Sequence, residues 1–196
     1  MAAELPSSLR LRLAAAQEEM RSVPLPVRWV RPEGVHLTLK FLGEAAEARL
    51  AAIREALAGA GRGSASFRLQ ACGAVAYPER GAPRLIWVEI RGEVESARRL
   101  AGAIDTAMAG LGFAAETREF RPHLTLGRVQ GTGRAQGTGR AQGAGSGNPR
   151  TALLRAGEQA SGEFEVKEYV LFQSRLDPGG AVYTPLGRFT LGGGSA

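Results

Sequence analysis

Apolar residues at Leu9, Leu13 and Ala16 fall on one side of a helix from Ser7 to about Met20, with Ser7 or Ser8 as its cap. Val27 to Val30 is a short apolar stretch closed by Arg31-Pro32. Val35 to Leu42 then alternates as a strand and stops at Gly43. Leu50, Ile53 and Leu57 return to helical spacing, in a second helix that ends near Gly59 and Gly61. Phe67 to Ala76 and Arg84 to Ile90 read as strands on either side of a turn from Pro78 to Pro83. Val94, Ala97, Ala101, Ile104, Met108 and Leu111 predict a third helix, closed by Gly110 and Gly112. Phe113 to Thr117 and His123 to Val129 read as strands, and two more are expected around Phe164 to Gln173 and Val182 to Leu191.

Two of these strands carry one string. His36-Leu37-Thr38-Leu39 recurs as His123-Leu124-Thr125-Leu126, and the chain has no other histidine. Chance would follow a given histidine with Leu-Thr-Leu at odds on the order of one in two thousand. Alternation sets His36 and Thr38 on one face, with Leu37, Leu39 and Phe41 on the other. His123 and Thr125 repeat the arrangement. An Arg-Pro pair precedes each histidine, Arg31-Pro32 and Arg121-Pro122. The layout predicts an α+β fold of two pseudo-twofold lobes around a central cleft, each histidine strand supplying half of one site.

Composition narrows the setting. With 196 residues and 44% hydrophobic content, the chain is long enough for one domain or two closely joined lobes. No apolar run reaches membrane-spanning length, so no membrane partner is expected. The first residues lack the basic-then-apolar layout of a signal peptide, and the cytoplasm is the expected compartment. The lone Cys72 excludes an internal disulfide and reads as a buried structural thiol. The net charge is +6, and Lys40 and Lys167 are the only lysines. Guanidinium groups suit bidentate contact with phosphate oxygens, which favours a polyanionic partner. Residues 130–148 hold a Gly-Thr-Gly-Arg-Ala-Gln unit twice in succession, then a Gly-rich run. They read as a flexible linker-like insertion, without the Gly-Lys-Ser/Thr ending of a P-loop or a following helix to receive an anion.

Val27-Arg28-Trp29-Val30-Arg31-Pro32-Glu33-Gly34-Val35-His36-Leu37-Thr38-Leu39-Lys40-Phe41-Leu42-Gly43-Glu44, with Arg121-Pro122-His123-Leu124-Thr125-Leu126-Gly127-Arg128, closely resembles the bacterial and archaeal RNA 2′,3′-cyclic phosphodiesterases. These belong to the two-histidine phosphoesterase superfamily, and many were first named 2′-5′ RNA ligases. Ala76-Tyr77-Pro78 is similar to the family's aromatic-Pro turn, and Leu171 to Tyr183 to its closing hairpin. The resemblance implies two antiparallel sheets lining the cleft, with helices outside. It implies one bilobal catalytic domain over 1–196, with 130–148 as insertion and 192–196 as a flexible tail. Two departures stand out: the Gly/Arg-rich insertion, and Met1-Ala2-Ala3-Glu4-Leu5-Pro6, which starts partway along the family's opening strand.

The resemblance also supplies a substrate, RNA ending in a 2′,3′-cyclic phosphate. Opening that strained diester with water needs a base for the water and an acid for the departing ribose oxygen. One neutral and one protonated imidazole fill both roles near neutrality, giving a bell-shaped pH dependence. Thr38 and Thr125 can donate hydroxyl hydrogen bonds to non-bridging phosphoryl oxygens. Arg128 can neutralise charge growing there. Strict alternation puts Arg128 on the wrong face, and a bulge or strand end at Gly127 is needed to return it. The residues alone do not say which histidine is the acid. The resemblance implies His36 as proton donor to the 3′ oxygen and His123 as proton acceptor from water, leaving a 2′-phosphate.

Blander roles compete. Lys40 either meets RNA phosphate or ends its strand in solvent, and Phe41 and Trp29 read as core rather than base-stacking platforms. Tyr183 is a weaker candidate to approach the ligand. Glu33 and Glu44 flank the first motif, but no third histidine or helix-type spacing builds a metal site. No metal or cofactor is expected, and the chain is expected to act as a monomer. The alternatives are reversible 2′-5′ ligation and cleavage on the same four residues, or a non-catalytic RNA-end binder. A histidine-triad nucleotide enzyme needs His-x-His-x-His, which is absent.

Overall fold

A computed structural model describes residues 1–130, 149–178 and 180–192. The expected insertion and tail fall outside these residues, apart from Gln130, whose amide donates to Pro26, and Gly192, whose amide donates to Gly61.

Among the described residues the strands are β1 (Ala2–Ala3), β2 (Val27–Trp29), β3 (Leu37–Thr38), β4 (Phe67–Tyr77), β5 (Leu85–Gly92), β6 (His123–Val129), β7 (Ser161–Val166), β8 (Glu168–Asp177) and β9 (Gly180–Thr190). The helices are α1 (Ser7–Met20), α2 (Leu50–Arg62), α3 (Val94–Gly110) and α4 (Pro149–Gly157). All strand pairs are antiparallel, in the order β7-β4-β5-β6-β3-β1-β8-β9, with β2 also paired to β6. The two expected sheets are the two four-stranded arms of this array. They join edge to edge where β3 meets β6 at Leu37 and Leu124. The histidine strands are therefore the seam of the molecule.

Apolar periodicity accounts for what lies under the seam. Leu37, Leu39, Leu124 and Leu126 are buried in one core with Leu9, Leu13, Ala16 and Met20 of α1. Ile53 and Leu57 of α2 and Leu100, Ile104 and Met108 of α3 extend that core. α1 packs with α4 and β7, and α2 with α3 and β9. Trimming a fully buried leucine such as Leu9 or Leu13 to alanine costs about 2–5 kcal/mol.

Several local expectations change. Pro6, not a serine, stands before α1; its carbonyl accepts from Leu9 and Arg10, and no side-chain cap forms. The first histidine strand shrinks to two residues: a short 3₁₀ turn, Pro32–Gly34, leads into it, and beyond Thr38 the amides of Leu39 and Lys40 both donate to the Met1 carbonyl. Phe113 to Thr117 forms no strand; Lys40 and Asp105 hold that segment through Ala114 and Glu116 instead. The strand expected around Phe164 to Gln173 splits at Lys167 into β7 and β8, which belong to different arms. α4 has no counterpart among the expected elements, and it follows the insertion directly. Cys72 is partly exposed rather than buried, at a β4 irregularity where Gly73 adopts φ +89°.

Candidate active site

The seam brings the two motifs together. Extending the Leu37–Leu124 register by one residue each way sets His36 beside Thr125 and Thr38 beside His123. Residues directly opposite in an antiparallel pair share a face. Each histidine therefore stands next to the other motif's threonine, on the face away from the buried leucines.

Arg128 joins them through a bulge. β5 faces β6 with Glu89 opposite His123 and Trp87 opposite Thr125, but Ile86 is opposite Gly127 and Leu85 opposite Arg128. β6 thus carries one extra residue at Leu126 and Gly127, both turned to the core. The slip returns Arg128 to the face of His123 and Thr125, as the sequence required. A side chain at 127 has no room, since its Cβ would lie 2.5 Å from Val27 Cγ1. Gln17 of α1 secures the bulge from below. Its buried Nε2 donates to the Leu126 carbonyl at 2.9 Å and to the Val30 carbonyl at 2.8 Å.

Aromatic rings brace both imidazoles. Trp87 lies 4.4 Å from the His123 ring and stacks on Tyr77 at 4.2 Å, with Arg121 over both indole and phenol. Trp87 Nε1 is buried without a hydrogen-bond partner among the described residues. On the other arm, Tyr183 meets His36 edge-on at 4.8 Å and Phe172 stacks at 6.0 Å. β1 separates β3 from β8, and there the residue opposite Thr38 is Ala2. Ala2 lines the same cleft as His36, Thr38 and Phe172. Sequence reading missed Phe172, Trp87 and Tyr77 as site residues, because long-range pairing alone brings them there; Tyr183 was anticipated.

Hydrogen bonds set the rings' states. His123 Nδ1 lies 2.8 Å from the Arg121 carbonyl, an acceptor only, so Nδ1 carries a proton and Nε2 faces away from it. A hydrogen bond to the Gly34 backbone holds His36 in the same way, two residues back. Burial lowers His36 from 6.5 to about 4, and the positive charge at the amino terminus adds to the effect; the Gly34 bond and Glu4 oppose it. Burial also lowers His123, joined by the charges of Arg121 and Arg128 and opposed by the Arg121 carbonyl.

A cleft of about 820 Å³ opens from His36 and Thr38 along Phe41, Phe172 and Tyr183. Phe41 is 68% exposed on it, so it is not core. Trp29 does pack against the core, as expected. Lys40 takes neither expected role: it is 3% exposed, and its Nζ donates to Asp105 at 2.5 Å and to the Ala114 carbonyl at 2.8 Å. That bond holds the Asp105 carboxyl below its usual range. Among the described residues no three His, Cys, Asp or Glu side chains cluster to hold a metal ion, and no helix is long and apolar enough to cross a membrane.

Comparison with known proteins fits this geometry. A family model described as LigT like Phosphoesterase matches residues 4–87. A protein of Archaeoglobus fulgidus named RNA 2′,3′-cyclic phosphodiesterase is 32% identical over 95% of this chain and 96% of its own length. One of the same name from Methanothermobacter thermautotrophicus is 30% identical over 97% of each chain. The crystal structure of a Thermus thermophilus protein superposes with TM-score 0.74 and 28% identity, covering 99% of this chain and 97% of that one. Escherichia coli LigT complexed with 3′-AMP does so with TM-score 0.71 and 26% identity, covering 97% and 95%. By fold, by motif placement and by these full-length relatives, the chain belongs to the LigT-like phosphoesterase family.

Proposed function

We propose that the protein hydrolyses RNA ends bearing a 2′,3′-cyclic phosphate to 2′-phosphomonoesters, without a metal, by acid–base catalysis between His36 and His123. The observation that carries this reading is the crossed pairing at the seam, each imidazole beside the other motif's hydroxyl on one face. Names of relatives sharing nearly the whole chain length support the same activity.

In this reading Nε2 of His123 takes a proton from water while the water oxygen bonds to phosphorus. The bond from phosphorus to O3′ breaks, and His36 gives its proton to O3′. Charge moves onto the non-bridging oxygens, where Thr38 and Thr125 donate hydrogen bonds and Arg128 supplies a guanidinium. His36 is neutral at pH 7 in the free protein, so it needs the anionic phosphate beside it to hold a proton. The whole chain acts as one catalytic domain. Both half-sites come from one chain, so a monomer suffices, and cytoplasmic RNA is the implied substrate pool.

The test incubates a short RNA ending in a 2′,3′-cyclic phosphate with protein and EDTA, resolving 2′- from 3′-phosphate products. Conversion to the 2′-phosphate is expected, with kcat falling by about 10²-fold or more in His36→Ala and in His123→Ala. Full turnover in either variant, a 3′-phosphate product, or loss of activity on chelation would refute the mechanism. RNA binding without turnover would move the assignment to an end-binding protein.

A further inference from the structure

A second arginine stands beside Arg128. β2 pairs with β6 so that Arg28 lies directly opposite Arg128. The bulge that turns Arg128 toward Thr125 therefore carries Arg28 to the same face. The flanking residues of β2 agree with that direction, since Val27 and Trp29 pack against the core. Both arginines are exposed, and among the described residues neither guanidinium has an ion pair or hydrogen bond. Two like charges directly across an antiparallel pair are unfavourable unless an anion lies between or above them. Glu89, the carboxylate in the row of His123, is two rows away from Arg128.

Position separates the tasks of the two guanidinium groups. Along the seam the row of His36 and Thr125 is followed by the row of Arg28 and Arg128. Arg128 shares a strand with Thr125 and His123, and Arg28 lies on the same edge of β6 as His36. On the proposed reaction, which this inference rests on, His36 marks the ribose O3′. In a ribose the base leaves C1′, next to C2′, and the 5′ oxygen leaves the chain beyond C3′ and C4′. The cleft runs from His36 toward Phe41, away from Arg28, and offers its aromatic rings to the base. The 5′ end of the same nucleotide then points toward Arg28.

We propose that Arg28 binds the phosphate on the 5′ side of the terminal nucleotide, so that the site reads two successive phosphates rather than one. Arg128 takes the reacting phosphate and Arg28 its neighbour. A nucleoside 2′,3′-cyclic phosphate with a free 5′ hydroxyl fills only half of this clamp. RNA ends fill all of it.

The experiment measures what a 5′ phosphate adds. Adenosine 2′-monophosphate and adenosine 2′,5′-bisphosphate are titrated calorimetrically into the wild type, Arg28→Ala and Arg28→Lys. Adenosine 2′,3′-cyclic phosphate and its 5′-phosphorylated form are compared in turnover. In the wild type the 5′ phosphate should tighten binding, and raise kcat/KM, by about five- to tenfold. The ratio should fall to near one in Arg28→Ala and be partly kept in Arg28→Lys. An equal ratio in wild type and Arg28→Ala overturns the proposal, as does a wild-type ratio near one. Arg28→Ala removes one of two opposed charges, so its melting temperature should not fall, and unfolding does not confound the ratio. A wild type that shows the Arg28-dependent binding increment but does not turn over a short RNA ending in a 2′,3′-cyclic phosphate refutes the hydrolase reading and leaves the phosphate contact of Arg28 standing.

Discussion

Burial lowers the pKa of each imidazole in the seam, and for His36 that has a measurable sign. His36 titrates at about 4 folded and near 6.5 unfolded, so between these values the unfolded chain binds the extra proton. Stability therefore rises with pH across this window and is lost as pH falls from 6.5 toward 4. The loss attributable to His36 is about 3 kcal/mol at the acid end. His36→Asn lacks the proton uptake, so its melting temperature should fall less than the wild type's between pH 6.5 and 4. Parallel curves for the two proteins would show that His36 is not desolvated. The same shift bears on catalysis. Both limbs of a kcat/KM profile, which reports the free enzyme, should lie below pH 6.5, and the kcat limbs should lie higher because bound phosphate favours the charged imidazole.

At the scale of elements, the bulge in β6 decides whether the site is complete, and Gln17 is the side chain that holds it. Replacing Gln17 with methionine keeps the volume and removes both donors; the Leu126 carbonyl keeps the Val30 amide, while the Val30 carbonyl loses its Gln17 partner at a cost of about 1–3 kcal/mol. A merely structural role would lower stability and leave phosphate affinity alone. A positioning role predicts a higher KM as well, and no further loss when Gln17→Met is added to Arg128→Ala. Additive losses in that double-mutant cycle would remove Gln17 from the function. The bulge was legible in advance because Arg128 sits an odd number of positions from His123, which only a slip in register reconciles with a shared face. Gln17 was not, since a polar residue within a helix pattern gives no sign of which distant carbonyls it meets. Periodicity placed α1, α2 and α3 well for the same reason that it failed with β3 and α4. Long amphipathic runs are decided locally, whereas a two-residue strand exists only because its neighbours pair with it, and α4 follows a composition that carries no periodic signal.

For the whole molecule, the pseudo-twofold relation holds at the seam and breaks in the cleft. Both histidines have a crossed threonine, a hydrogen bond to the backbone two residues back and aromatic support, from Phe172 and Tyr183 at His36 and from Trp87, itself stacked on Tyr77, at His123. Yet the 820 Å³ cleft is lined by His36 and Thr38 and not by His123 or Thr125. On the proposed mechanism this asymmetry would put the substrate's bulk on the first-motif side and leave the second motif to the smaller reactant, water. Phe41 is the aromatic ring that the chain exposes on that side, 68% accessible three residues past β3, whereas the preceding Lys40 is 3% exposed and ion-paired. Nucleobases stack on such rings for about 1–3 kcal/mol. Phe41→Ala should raise KM for RNA ends about tenfold while the melting temperature stays within about a degree or two of wild type, because little apolar area is lost from the core. Phe41→Trp should restore affinity and Phe41→Leu should not, since stacking needs a flat π face and burial does not. Equal behaviour of leucine and tryptophan would mean that the ring only covers the cleft, and the base would then have to be sought against Phe172.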